Sequence, residues 1–254
     1  MIRQSILFGI VAAAFAVTAC SAENSGNGAA AASNAPIKAV PAPNGGDWST
    51  MVATTPAGGF VMGNPAAKVK LVEFGSMTCP HCREFDEAAM TPLTDKYVKS
   101  GQVSFEFRNY VRDSADLAAS VVARCGGTSS FFGLTRQLFA EQNEWFGKIQ
   151  NSDPAQLQAL SALPPNQQLA EVARLAGFPQ WAAMRGLPAA KLNACLADPN
   201  APTQLVQMQT DATTQYPDIP GTPSFLINDK LVDIKPGSSV WSQVEGAINA
   251  ALGS

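Results

Sequence analysis

Two thiols three residues apart, Cys79 and Cys82, stand where a buried-strand run hands over to a helical pattern. Leu71-Val72-Glu73-Phe74 reads as a strand, and beyond Cys79-Pro80-His81-Cys82 the residues Phe85, Ala88 and Ala89 recur at helical spacing. The cysteines therefore open a helix, where unpaired backbone N–H groups and the positive end of the dipole stabilise an anion. Cys79, at the very mouth, gains most. Its thiolate is the species that attacks disulfides and leaves them. His81, as a cation or donor beside the sulfur, and Arg83 just beyond push the same way. Stabilising the reduced, ionised form makes the disulfide a stronger oxidant, by about 30 mV for each 1.4 kcal/mol.

Three plainer readings of a C-x-x-C stand beside this one: half a zinc site, a structural bridge, or accident. Zinc needs more ligands, and the chain offers one histidine and only Cys125 and Cys195 beyond the tether, without paired spacing. A bridge across three residues closes too small a loop to constrain the unfolded chain much. No metal and no cofactor are expected, since the sulfurs themselves carry the electrons. Lys+Arg 17 against Asp+Glu 20 leaves no basic field for a phosphate backbone, so nucleic-acid binding is not expected.

With 254 residues, 46% of them hydrophobic, the chain can build one core with appendages, an α/β fold with an insert. Residues 47–111 form the first part. Strands are expected at Phe60-Val61-Met62, at residues 68–74 and at Val103–Phe107, the last two parallel by their β-α-β order. Residues 112–216 form a helical insert, with helices at Leu117–Arg124, Phe131–Glu141, Gln167–Ala176, Trp181–Arg185, Ala189–Leu196 and Thr203–Thr214. Residues 217–254 resume the sheet with a hairpin, Ser224–Asn228 turning at Asn228-Asp229-Lys230 into Leu231-Val232-Asp233, and end in a helix from about Ser238.

Before the domain, Arg3 precedes an apolar run from Ile6 to Ala19, too short to span about 30 Å of hydrocarbon. Residues 1–19 read as a secretory signal. Val17-Thr18-Ala19-Cys20 resembles the lipobox at which bacterial prolipoproteins are cleaved and lipidated, which implies lipid attachment at Cys20 and anchoring in a periplasm-facing membrane. Ser21, in place of the aspartate that retains lipoproteins at the inner membrane, favours the outer one. Without residues 1–19 the net charge is one unit more negative than the −3 of the whole chain. Residues 20–46, rich in Ala, Gly, Ser, Asn and Pro, read as that attachment cysteine and a tether.

Strand, Thr78-Cys79-Pro80-His81-Cys82, helix, helical insert, then Gly221-Thr222-Pro223-Ser224 opening a strand resembles the DsbA-like thiol:disulfide oxidoreductases of the thioredoxin superfamily, over residues 47–252. The resemblance implies a thioredoxin fold with a large inserted helical domain, and oxidising chemistry from the Pro80-His81 dipeptide. It implies that Pro223 is cis beside the catalytic pair and that it and Thr222 meet the substrate backbone, because proline lacks an N–H to compete. It implies that Glu73 is the buried acid relaying the proton of Cys82, where the residue alone could equally be a solvent-facing strand end, and that Asp86 is a second acid. Thr222 departs from the valine of the best-known oxidases and matches isomerases. The substrates implied are unfolded or reduced exported proteins, and the reoxidant is a quinone-linked membrane thiol oxidase of the DsbB kind. An isomerase or reductase, and a non-catalytic chaperone, are the alternatives.

Cys125 and Cys195, near predicted helix ends in a chain bound for an oxidising compartment, are expected to form a structural disulfide, with two separate buried thiols as the alternative. Phe131, Phe132, Phe139, Trp145 and Phe146 are expected in the core, some lining an apolar groove beside Cys79; Trp48 is expected to be a packing anchor.

Overall fold

The computed structural model describes residues 37–253. Cys20, the apolar leader and the tether up to residue 36 lie outside the described residues. The end of the stretch read as tether is bound to the fold. The Val40 N–H donates to the Ser100 carbonyl at 2.7 Å, Gln102 Nε2 to the Lys38 carbonyl at 2.8 Å, and Trp48 Nε1 to the Val40 carbonyl at 2.8 Å. Trp48 is the reason: buried, with one indole N–H to satisfy, it takes a carbonyl from the preceding segment.

β1 (Val52–Thr54) and β2 (Phe60–Gly63) form an edge hairpin, and the short, mostly exposed β1 escapes the strand pattern in the sequence. β3 (Val69–Gly75) leads into α1 (Pro80–Pro92), and β4 (Val103–Asn109) returns parallel to β3 in a register from Val69 opposite Val103 to Gly75 opposite Asn109. This is the parallel pair that the β-α-β order demands.

Eight helices follow before the sheet resumes. They are α2 (Ser114–Cys125), α3 (Phe131–Ala140), α4 (Gln142–Gln150), α5 (Pro154–Leu160), α6 (Pro165–Leu175), α7 (Phe178–Ala183), α8 (Ala189–Ala197) and α9 (Asn200–Gln215). The sequence pattern misses α4 and α5, which are short, and α5 buries none of its residues.

β5 (Ser224–Ile227) pairs antiparallel with β3 and turns into β6 (Lys230–Leu231); α10 (Val240–Leu252) closes the chain. Asn228 and Asp229 both take positive φ, 49° and 66°, as a tight two-residue hairpin requires. The second strand stops at Leu231 rather than Asp233. The sheet among the described residues has the order β1-β2-β4-β3-β5-β6, with β3 near its centre.

The insert is welded to the sheet through α2. Its buried face is mostly Ala and Val, small enough for α3, α6 and α8 all to pack on it. Phe131 stacks on Phe60 of β2 with centroids 3.9 Å apart and meets Phe107 of β4; Trp145 packs on Phe178. Cys125 at the end of α2 and Cys195 in α8 form a disulfide across 70 residues. Closing a loop that long removes about 4 kcal/mol of unfolded-state entropy. A Cys125→Ala/Cys195→Ala double variant is expected to lose about that much stability in urea unfolding; a loss below about 1 kcal/mol would mean that the helices alone hold the insert together.

Candidate active site

β3 ends at Gly75, where a side chain would collide with the Phe107 ring. The chain then turns sharply, with the Cys79 N–H donating to the Ser76 carbonyl at 3.1 Å, and delivers Cys79 to the N-cap of α1 in extended conformation, φ −81° and ψ 120°. Pro80 at the first helical position costs nothing there, because its missing N–H would have no intrahelical partner. Cys79 and Cys82 are free thiols, 2% and 0% exposed. Exposure hardly separates them. Electrostatics does.

The Cys79 thiol is lowered to about 5, first by a hydrogen bond from the Cys82 thiol and then, against the cost of burial, by the Thr222 side chain and the backbone N–H groups of Cys82 and His81. The Cys82 thiol is pushed up, by burial first and then by donating to Cys79 and by the nearby Glu73 and Cys79 charges. One sulfur is thus an anion at neutral pH and the other its proton donor. In thiol form Cys79 Sγ also faces the Thr222 carbonyl at 3.2 Å, across the cis Thr222–Pro223 peptide.

His81 plays only in part the role that its place in the motif suggests. Its ring turns to solvent and bonds Glu84 one helical turn on, Nδ1 to Oε2 at 2.9 Å, and that carboxylate raises its pKa. His81 gives the sulfur its backbone N–H, and the charge of its ring couples to Cys79 as well.

Glu73 lies on β3 between Phe107 of β4 and Phe225 of β5, only 3% exposed. Its Oε1 has no hydrogen-bond partner, and burial, followed by the charges of Asp86 and Cys79, holds its carboxyl well above the usual range. It is not the solvent-facing strand end. Asp86, one turn beyond Cys82 on α1, is raised to about 6 by burial, which outweighs Arg136 at 3.7 Å.

Three residues of the insert, invisible as a motif, grip the loop that carries the cysteines. Gln142 of α4 donates to the carbonyls of Met77 at 2.8 Å and Cys79 at 3.0 Å. Asp113 accepts from the Thr78 hydroxyl at 2.8 Å. Asp116 of α2 accepts from the Ser76 hydroxyl and the Met77 N–H. The only local signal is Asp113, an aspartate three residues before Asp116 at a helix start, which reads as an N-cap and no more.

Beside the cysteines runs a groove of about 520 Å³, whose lining includes His81, Phe85, Pro220, Pro223, Val240 and Trp241. The aromatic cluster of the insert does not line it: Phe131, Phe139 and Trp145 are buried, and Phe132 and Phe146 pack against the same core. Cys125 and Cys195, in their disulfide, belong to the insert and not to this site.

A thiol lowered on folding contributes stability that is complete above its unfolded value of about 9 and is lost as pH falls through about 5. Reduced protein should therefore exceed its Cys79→Ser variant in stability by a few kcal/mol near pH 9, with the gap closing toward pH 5. Urea unfolding at a series of pH values checks this, and a gap independent of pH would contradict the assignment.

The family model described as Thioredoxin matches residues 55–250. A Rickettsia bellii protein named as a protein-disulfide oxidoreductase is 25% identical over 190 residues, covering 74% of this chain and 64% of its own. The chain spans less than two thirds of the length of such curated relatives. Among solved structures, a protein-disulfide isomerase from Novosphingobium aromaticivorans is 33% identical with a TM-score of 0.70, covering 76% of this chain and 97% of that one. Wolbachia pipientis alpha-DsbA1, at 20% identity and a TM-score of 0.60, shares the fold over 79% of this chain and 94% of its own.

Proposed function

The chain belongs to the thioredoxin family, and from that premise we propose that it is a thiol:disulfide oxidoreductase donating the Cys79–Cys82 disulfide to exported proteins. The observation that carries the reading is the opposed acidity of the two thiols, one lowered to about 5 and the other raised. A client thiolate attacks Cys79 Sγ, the Cys79–Cys82 bond breaks, and its electron pair leaves on Cys82. A second client thiolate then attacks the client sulfur of the mixed disulfide. Cys79 leaves as the stabilised thiolate, the client is oxidised by two electrons and the enzyme reduced by two. Glu73, whose carboxyl burial holds well above the usual range, is the proton source for Cys82.

The groove running past His81 to Pro223 gives an unfolded segment an apolar bed, and the backbone at Thr222 offers it strand-like pairing. Pro80 fixes the start of the helix that charges Cys79. Thr222 favours a second reading, isomerisation, and the Novosphingobium protein is described as an isomerase. A stabilised Cys79 leaving group supports donation over isomerisation.

Export and anchoring rest on residues 1–19 and Cys20, and no helix among the described residues is long and apolar enough to cross a membrane. A lipid at Cys20 would hold the domain at the periplasmic face of the outer membrane. Reoxidation would then fall to a membrane thiol oxidase of the DsbB kind, a disulfide-bearing partner able to take two electrons from Cys79 and Cys82.

Two substrates separate the readings. Oxidised protein should oxidise a reduced, unfolded client with one equivalent of disulfide per enzyme, and reduced protein should reactivate a scrambled client poorly. Faster reactivation of the scrambled client would make the protein an isomerase. A Cys79→Ser/Cys82→Ser variant retaining client protection would make it a chaperone.

A further inference from the structure

The disulfide exchange leaves the buried carboxylate of Asp116 unused. Asp116 is 0% exposed and sits in the first turn of α2, capped by Asp113, whose Oδ1 accepts the Asp116 N–H at 2.8 Å. Its Oδ2 accepts from the Ser76 hydroxyl at 2.5 Å and the Arg112 N–H at 2.9 Å; its Oδ1 accepts from the Met77 N–H at 2.8 Å and the Ser120 hydroxyl at 3.3 Å. Two of these four donors belong to the loop entering the active site. The other side of that loop is fixed too, since the Gly75 carbonyl accepts the Tyr110 N–H at 2.8 Å.

The peptide between Gly75 and Ser76 is thus held at its carbonyl and, one step on, through the Ser76 side chain and the Met77 N–H; its own N–H donates to sulfur, with Ser76 N 3.5 Å from Cys82 Sγ. Cys79 and Cys82 are both free thiols, and this N–H faces the inner one. Behind Asp116 the hydrogen bonds continue through Ser120 to Asn109 of β4, and from Asn109 to Arg124, which also bonds the Gly58 carbonyl. The carboxylate is anchored to the sheet as well as to its own helix.

We propose that Asp116 is a positioning residue for disulfide exchange: by holding Ser76 and Met77 it aims the Ser76 backbone N–H at Cys82, the sulfur that takes the electron pair when the Cys79–Cys82 bond breaks. The proposal rests on the oxidoreductase reading and deepens it. A backbone N–H bonded to a charged sulfur is worth more than one bonded to a neutral thiol, so its contribution grows as the bond breaks. The insert thereby takes part in the chemistry, in addition to covering it. Asp116 acts on the leaving sulfur, whereas the donors that set Cys79 lie on α1 and at Thr222.

The test separates the two sulfurs. Stopped-flow reduction of the oxidised protein by dithiothreitol reads Cys82 leaving; alkylation of the reduced protein by iodoacetamide reads Cys79 as a thiolate. Asp116→Asn is expected to slow the first about tenfold, the worth of one misdirected hydrogen bond to a developing thiolate, and to leave the second within about twofold. Ser76→Ala, which removes the hydroxyl but keeps the Met77 contact, is expected to slow reduction about threefold. The double variant should be no slower than Asp116→Asn, because both substitutions break one chain of contacts.

Reduction rates within about twofold of the parent, an equal fall in alkylation, or additive losses in the double variant would each overturn the proposal. Should Asp116→Asn fail to fold, Ser76→Ala decides alone, and an unchanged reduction rate counts against it. The parent protein carries the separate control: if its own disulfide does not oxidise dithiothreitol, the oxidoreductase reading fails, whatever the variants do.

Discussion

A negative charge on one sulfur, held at the mouth of a helix, is the state around which this molecule is arranged. The Cys82 thiol, the Thr222 side chain and two backbone N–H groups all favour it at Cys79, against the cost of taking a thiolate out of water. None of these donors is a cation. The charge is stabilised by oriented dipoles, which need a rigid frame more than they need neighbouring charge. That frame is the central strand β3, continuing without slack through the turn at Ser76 into α1, with the cis Thr222–Pro223 peptide arriving from β5 beside it.

The rigidity comes in large part from the insert. Gln142, Asp113 and Asp116 reach from α4 and from the start of α2 to four consecutive residues of the cysteine loop, Ser76 to Cys79. α2 is fixed in turn by the Cys125–Cys195 bridge, and α3, which packs on it, by the stacked Phe60 and Phe131. The redox chemistry proposed for Cys79 and Cys82 thus depends on packing that starts far along the chain. Glu73 is placed by the same logic from beneath, where aromatic neighbours on both adjoining strands deny it water and raise its carboxyl well above the usual range.

What could be read from the sequence is what is local. The strand before Cys79, the helix after it, the parallel partner at Val103 and the hairpin turn at Asn228-Asp229 each carry their signal within a few residues. Cys125 and Cys195 were legible because cysteine is chemically conspicuous. The grip of Asp113, Asp116 and Gln142 was not, because an aspartate or glutamine in a helix has no periodicity to betray it and its partners lie 35 to 65 residues away. His81 was legible in part: its charge couples to Cys79, as its place beside the sulfur suggests, but the hydrogen-bond partner of its ring is Glu84 three residues on. Helices α4 and α5 went unseen because both are short, and α5 buries none of its residues, so it shows no apolar stripe.

Thiolate ultraviolet absorbance, followed across pH in reduced protein with Cys82 intact, addresses the charge on Cys79 directly. The account predicts one sulfur half-ionised near pH 5, with the second remaining a thiol beyond pH 9. A first ionisation near 8.5, the value of an ordinary cysteine at about that pH, would contradict it, because the helix mouth would then confer no advantage on the reduced form.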